Sequence, residues 1–324
     1  MASKHGADEL LVVQELLGLK EGSKKTAGLA DAIFVCVDCE AFEFAPDKIT
    51  EVGVSVVDTR ALQALSPGEN GAAWLSKIES AHYLIEEYAH LKNKRFVKGC
   101  PESFSFGRTQ TVRKGQASEV LLRVFADPTM LSQAHKSGEK KATLGRPIIL
   151  VGHDLSNDDQ FLKHLDFSLA GVTAISRRVD TQRVAGTKKR LIALKKLLAA
   201  LDIEPRFLHN AGNDAAYTLQ ALLKMAVCEQ RQPGSLVAKV EEQYAKPSAS
   251  NKGQDEVRQG LSRSQRKALK RGQRVQQAAG EGSVADGGKS TLQASDDHTQ
   301  AGATDYDSGR NKRFVKWATE LGTQ

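Results

Sequence analysis

Hydrophobic and polar residues change rhythm along this chain, and the changes divide it into elements. Residues 32–38, AIFVCVD, are an apolar, β-branched run that predicts a buried strand. ITEVGVSVVDT, from residue 49, alternates and predicts a second strand. HYLIEEYAHL, 82–91, fits either a third strand or a helix, and 92–115 is polar and rich in turns. ASEVLLRVFAD then spaces its apolar residues as a helix does, and RPIILVGHD is a short buried strand ending in a polar turn. DDQFLKHLDF predicts a helix, RRVDTQRV a strand, and KRLIALKKLLAALDI a strongly periodic helix. A last helix over 212–228 buries Leu219, Leu222 and Leu223 on one face. Strands first, then helix and strand in alternation, predict an α/β domain with a mixed sheet and helices on its faces. Its bounds are 30–230, after a short amphipathic helix and linker over 1–29.

Beyond Pro233 the pattern fades. From Gly280 to Gly309 large apolar residues are almost absent, so 231–324 reads as a basic, low-complexity, mostly disordered tail. Residues 258–274 hold Arg258, Arg263, Arg266, Lys267, Lys270, Arg271 and Arg274 without one acid among them. Such a segment suits phosphate contacts without sequence information, a nuclear-import signal or a solvated linker. Further on, Phe314 and Trp317 stand among Arg310, Lys312, Arg313 and Lys316, a setting for base stacking or for docking a protein partner.

Composition narrows the class only modestly. The chain has 324 residues, 40% hydrophobic and 26% charged, enough for one sizeable core plus tails. A formal net charge of +7 suits a polyanionic partner. No run reaches the roughly 18 apolar residues that a membrane helix needs. The first residues lack a basic segment followed by an apolar core, and Asp8, Glu9 and Glu15 argue against a mitochondrial presequence, so the expected location is nuclear or cytoplasmic. Cys36 and Cys39 are spaced C-x-x-C, but in a strand an odd spacing sends the two thiols to opposite faces, which argues against structural zinc.

The candidate chemistry is acidic. Asp38 and Glu40 stand two apart at the end of the first strand, so both carboxylates point to one side. Either a divalent cation sits between them, or one is solvated and the other pairs with a base. A second cluster, Asp154, Asp158 and Asp159, follows the strand that ends at His153. A third lies in FLHNAGNDAAYTL, where His209 precedes Asp214. There Asn210 or Asn213 can cap a helix whose positive end favours Asp214, or the imidazole and the carboxylate can belong to a catalytic centre. Ends of strands in open α/β sheets commonly converge on one crevice. No glycine-rich phosphate loop follows a strand, which argues against a phosphatase or nucleotide-binding protein.

In order, D-x-E at Asp38 and Glu40, H-x4-D-x2-F-L from His153 to Leu162, and H-x4-D from His209 to Asp214 resemble the DEDDh exonucleases of the ribonuclease H-like superfamily. More narrowly, ITEVGVSVVDT, HYLIEEYAHLKNKRFV and HNAGNDAAYTLQALL resemble a fungal branch named for the full activity of a DEAD-box protein and linked to messenger-RNA export. The resemblance spans 30–230 and implies a ribonuclease H-like fold and a 3′–5′ exonuclease acting on RNA or single-stranded nucleic acid. It implies that Asp38, Glu40, Asp158 and Asp214 hold two Mg²⁺ or Mn²⁺ ions, and that His209 takes a proton from the attacking water. Three positions depart from the family's pattern: Ala41 where Thr often follows the Glu, Asp154 after the His, and Asn157 before the Asp. They keep open an alternative, a nucleic-acid-binding or adaptor domain with little or no catalysis, and also the substitution of Asp159 for Asp158 as ligand.

Overall fold

The computed structural model describes residues 4–131, 145–186 and 191–245. The described residues form one six-stranded mixed sheet: β1 (Ile33–Phe42), β2 (Ala45–Asp58), β3 (Glu79–Ile85), β4 (Thr109–Val112), β5 (Ile148–Gly152) and β6 (Ile175–Asp180), in spatial order β4-β3-β2-β1-β5-β6. β2 pairs antiparallel with both β1 and β3, while the β3–β4, β1–β5 and β5–β6 pairs are parallel, so β2 runs against the rest. This is an α/β arrangement, a mixed sheet with helices on its faces, as the alternation of elements predicts.

Period two along β1 divides the interior in two layers. Phe34 and Cys36 enter the core that also holds Leu219, Leu222 and Leu223, whereas Ile33, Val35, Val37 and Cys39 enter the opposite core. The thiols of Cys36 and Cys39 thus lie on opposite faces, as the odd spacing requires. The first layer contains α1 (Lys4–Leu16), α6 (Thr181–Ala185), α7 (Leu194–Ala200), α8 (Ala211–Arg231) and α9 (Ser235–Ala245); the second contains α4 (Lys114–Ala126) and α5 (Leu155–Lys163). Two short helices, α2 (Thr59–Gln63) and α3 (Ala72–Leu75), link β2 to β3. Leu10, Val12, Val13 and Leu16 of α1, and Leu236 and Val240 of α9, are buried in the first layer. Each such side chain contributes roughly 1.5–3 kcal/mol of burial. None of the described helices is long and apolar enough to cross a membrane.

Several elements differ from their sequence expectation for local reasons. Residues 82–91 divide: β3 ends at Ile85 and a single 3₁₀ turn follows. The span 177–184 is not one strand, because the Asp180 carboxylate accepts the N–H groups of Gln182 and Arg183 and starts α6. β4 lies inside the polar stretch expected to be turns; it is a short edge strand exposed along most of its length. The basic segment with Arg263, Arg266, Lys267, Lys270, Arg271 and Arg274, the stretch 280–309 and the block around Phe314 and Trp317 lie outside the described residues.

Candidate active site

The site begins at the open end of β1. Asp38 and Glu40 share the parity of Phe34 and Cys36, so both face the layer that contains α8. Across the ladder Asp38 pairs with Gly53 and Glu40 with Glu51. Gly53 explains how α8 comes so close: a Cβ there would lie 1.9 Å from the Ala211 carbonyl oxygen. Gly212 serves the same approach from the helix side, since a Cβ on it would come within 2.7 Å of His82 and Phe104. The start of α8 therefore lies directly against β2, beside the carboxylates of β1.

Asn210 caps α8, its Oδ1 accepting the Asn213 N–H at 3.1 Å. Asp214 sits in the first turn and is buried. Its Oδ2 accepts the N–H of His209 at 3.0 Å, while its Oδ1 is buried without a hydrogen-bond partner. His209 adopts a left-handed conformation, φ 68°, which turns the chain back towards the helix start. Its ring is half exposed, and Nδ1 lies 4.0 Å from Glu40 Oε1. One ligand atom each from Glu40, His209 and Asp214 falls within 4.8 Å of the others. The capping role and the acidic cluster, alternatives in the sequence, thus coexist at one helix start.

Asp158 arrives from α5. It is buried, and its Oδ1 accepts the N–H of Cys39, the residue between Asp38 and Glu40, at 3.0 Å. Asp159 forms a two-contact ion pair with Arg178. The departures at Asp154 and Asn157 satisfy each other: Asn157 Nδ2 donates to Asp154 Oδ2 at 2.6 Å, and Asp154 sits at φ 74°. His153 bonds through Nδ1 to Thr181 Oγ1 at 2.9 Å, and Thr181 Oγ1 donates to the Gly152 carbonyl, a tie between β5 and α6. Ala41 offers its carbonyl to Asn93 Nδ2 at 2.8 Å.

Electrostatics binds these groups together. Burial, reinforced by the charges of Asp158, Asp214, Glu40 and Glu51, holds the Asp38 carboxyl well above the usual range. Burial and the charges of Glu51, Asp214 and Asp158 do the same to Glu40. Asp158 is also raised, by burial and by Asp154, Asp180 and Asp159, against the opposing Cys39 N–H. Asp214 is pushed up to about 7 by burial, with the His209 N–H opposing and Glu51 adding to it. Burial and the nearby Lys195 lower the His209 imidazole, which favours its neutral form. Such a set of acids is unfavourable in the absence of positive charge, and oxygen ligands suit Mg²⁺ or Mn²⁺.

Glu51 is the residue sequence reasoning missed. It is buried; its Oε2 lies 2.9 Å from His82 Nε2 and accepts the Ala211 N–H at 3.3 Å. His82 Nδ1 lies 2.9 Å from Thr109 Oγ1. A signal was present: Glu51, Gly53 and Ser55 are polar or small on one face of an otherwise apolar strand, the mark of a surface against which something packs closely.

Comparisons with known proteins bear on this arrangement. The family model DEDDh_C, described as DNA polymerase III subunit epsilon-like, C-terminal domain, matches residues 33–225. An uncharacterised protein of Saccharomyces cerevisiae is 30% identical over 211 residues, 60% of this chain and 41% of its own length. An uncharacterised nucleolar protein of Schizosaccharomyces pombe is 29% identical over 202 residues, 59% of this chain and 68% of its own. The Saccharomyces cerevisiae protein named "Good for full DBP5 activity protein 2" is 28% identical over 218 residues, 60% of this chain and 35% of its own. The matched region thus spans less than half of either Saccharomyces cerevisiae relative. Among solved structures, the Saccharomyces cerevisiae apo Pan2 pseudoubiquitin hydrolase–RNA exonuclease module in complex with AAGGA RNA aligns over 65% of this chain and 32% of that one, at 19% identity and a TM-score of 0.33.

Proposed function

This chain belongs to the DEDDh family of DNA polymerase III subunit epsilon-like domains, and on that premise we propose that it is a metal-dependent 3′–5′ exonuclease acting on RNA or single-stranded nucleic acid. The observation that carries the reading is the meeting of Glu40, His209 and Asp214, from strand, turn and helix, with ligand atoms within 4.8 Å of one another. The donor set fits hard divalent cations. Asp214 Oδ1 is buried without a partner, and the neighbouring carboxyls raise one another's pKa. Asp38, Glu40, Asp158 and Asp214 would hold two Mg²⁺ or Mn²⁺ ions. When bound, the ions supply Lewis-acid stabilisation to the attacking and leaving oxygens of an in-line displacement.

The chain's own residues do the rest. Neutral His209, half exposed and carried on a strained turn, takes the proton of the attacking water. The backbone N–H of the same residue donates to Asp214 Oδ2, which ties the base to the ligand. Asp158 is aimed by the Cys39 N–H, and Glu51 holds the start of α8 through Ala211. The products are nucleoside monophosphates released from a 3′ end.

In this reading residues 30–230 are the catalytic unit. The tail is expected from 231, but α9 (Ser235–Ala245) packs into the core, so it is the chain beyond α9 that supplies further phosphate contacts through Arg263, Arg266, Lys267, Lys270, Arg271 and Arg274, or docks a protein partner, in the nucleus or cytoplasm. End-labelled oligonucleotides with Mg²⁺ or Mn²⁺ test the proposal. We expect monomer release that vanishes in Asp38→Ala and Asp214→Ala and falls roughly 10²- to 10⁴-fold in His209→Ala. Salt-sensitive binding without cleavage would favour the adaptor reading instead, and release unchanged in the Asp variants would refute the site.

A further inference from the structure

Beside the acids runs a segment that the family motifs leave unused. Residues 93–100 follow β3 and its 3₁₀ turn, and run from the end of β1 to the His209 turn. At one end Asn93 grips both sides of Phe42: Nδ2 donates to the Ala41 carbonyl at 2.8 Å, and Oδ1 accepts the Glu43 N–H at 2.8 Å. At the other end the Cys100 N–H donates to the His209 carbonyl at 3.2 Å. Between them the Glu43 carboxylate accepts the N–H groups of Lys94, Arg95 and Phe96 at 2.8 to 3.2 Å. The loop is therefore fixed by its backbone, and its side chains are left outward.

Those side chains are of two kinds. Phe96 is 44% exposed and lies 5.7 Å from the Phe44 ring, itself 60% exposed. Exposed aromatic rings fixed beside one another are costly in water unless a ligand covers them. Lys94, Arg95 and Lys98 are exposed and form no ion pair among the described residues, whereas Lys92 pairs with Glu102 at 3.5 Å. Of the acids beside this patch, Glu43 has its charge taken up by backbone amides, and Glu102 is paired with Lys92 and also feels the charge of Lys98. Rings that accept bases and free cations that accept phosphates together match a single strand of nucleic acid. A duplex keeps its base faces stacked on one another and cannot offer them to Phe96.

We propose that the 93–100 loop, through Phe96 with Lys94, Arg95 and Lys98, is a binding track for single-stranded nucleic acid leading to the acidic centre. The direction of travel rests on the exonuclease reading; the binding itself does not. The test uses the full chain carrying alanine at Arg263, Arg266, Lys267, Lys270, Arg271 and Arg274, so that the tail does not mask the loop. Anisotropy of a short labelled single-stranded RNA is read in EDTA, where nothing is cleaved. Phe96→Ala is expected to weaken binding roughly five- to a hundredfold, with Phe96→Tyr restoring it. Lys94→Ala with Arg95→Ala is expected to flatten the log K against log salt slope by roughly 0.7 per cation removed. Binding in Phe96→Ala within about twofold of its parent overturns the proposal, as does an equal loss in Phe96→Tyr. So does a protein ligand whose capture, unlike RNA binding, depends on Phe96. Phe96-dependent binding without any cleavage under Mg²⁺ supports the track while refuting the exonuclease reading.

Discussion

Gly53 has no side chain because the backbone of α8 occupies the space. An added Cβ would meet the Ala211 oxygen at 1.9 Å, the Ala211 carbonyl carbon at 2.2 Å and the Gly212 nitrogen at 2.5 Å. These are main-chain atoms at a helix start, which cannot swing aside as the tip of a lysine could. Gly53 also stands opposite Asp38 in one ladder and His82 in the other, so displacement there moves the acids apart. Gly53→Ala should cost on the order of 3 kcal/mol in urea unfolding and should weaken cation binding. Gly115→Ala is the control. Nothing lies within 4 Å of its added Cβ, and α4 should gain roughly 0.5–1 kcal/mol from the better helix former. Equal midpoints for the Gly53 variant and its parent would show that α8 does not need this contact.

At the scale of elements, two asparagines bind the start of α8 to the loops around it. Asn213 Oδ1 accepts the Ser105 N–H at 2.8 Å, and its Nδ2 donates to the carbonyls of Ser103 and Phe207 at 2.9 and 3.0 Å. Asn210 Nδ2 reaches the carbonyls of Cys100 and Pro101 at 3.2 Å. Asn213→Ala removes three part-buried hydrogen bonds, at roughly 0.5–1.5 kcal/mol each. Amide exchange should speed at Ser105 while the amides of Val35 and Val54 stay protected; uniform acceleration would mean that the variant unfolds globally. These asparagines also mark how far the sequence could be read. Asn210 as a cap and the D-x-E pair on one face follow from local periodicity alone, as do β1, β2 and β5, whose apolar runs face a core on one or both sides. Glu51 was hidden because its importance comes from register, opposite Glu40 and under Ala211. β4 was hidden because an exposed edge strand has no apolar face to betray it, and the turn at Asp180 because one carboxylate ended a β-rich run. The bonds of Asn213 to Ser103 and Ser105 join segments about a hundred residues apart, which no window on the chain can contain.

Over the whole molecule the charge distribution is uneven: the chain carries a formal net charge of +7, yet Asp38, Glu40, Glu51, Asp158 and Asp214 crowd together at one centre. That crowding ties the stability of the fold to pH and, on the exonuclease reading, to a bound cation. Asp214 keeps its proton in the folded protein up to about 7, whereas in the unfolded chain it ionises near the model-compound value of 3.8. Between those values the folded state binds the extra proton, so stability falls as pH rises, by at most about 1.4 kcal/mol per pH unit for this group. The raised carboxyls of Asp38, Glu40 and Asp158 act in the same direction. A divalent cation that binds only the folded, ionised site reverses the loss, by about 2.7 kcal/mol at a hundred times its Kd. Cation-free protein should therefore melt lower at about pH 8 than at about pH 5.5, and Mn²⁺ should raise the melting temperature at the higher pH far more than at the lower. Asp214→Asn should melt higher than its parent at about pH 8 without cation and respond little to Mn²⁺, because it removes the charge the ion would neutralise. A cation-free melting temperature that stays level across this range, or a Mn²⁺ response undiminished in Asp214→Asn, would mean that these carboxyls neither repel one another in the fold nor share an ion.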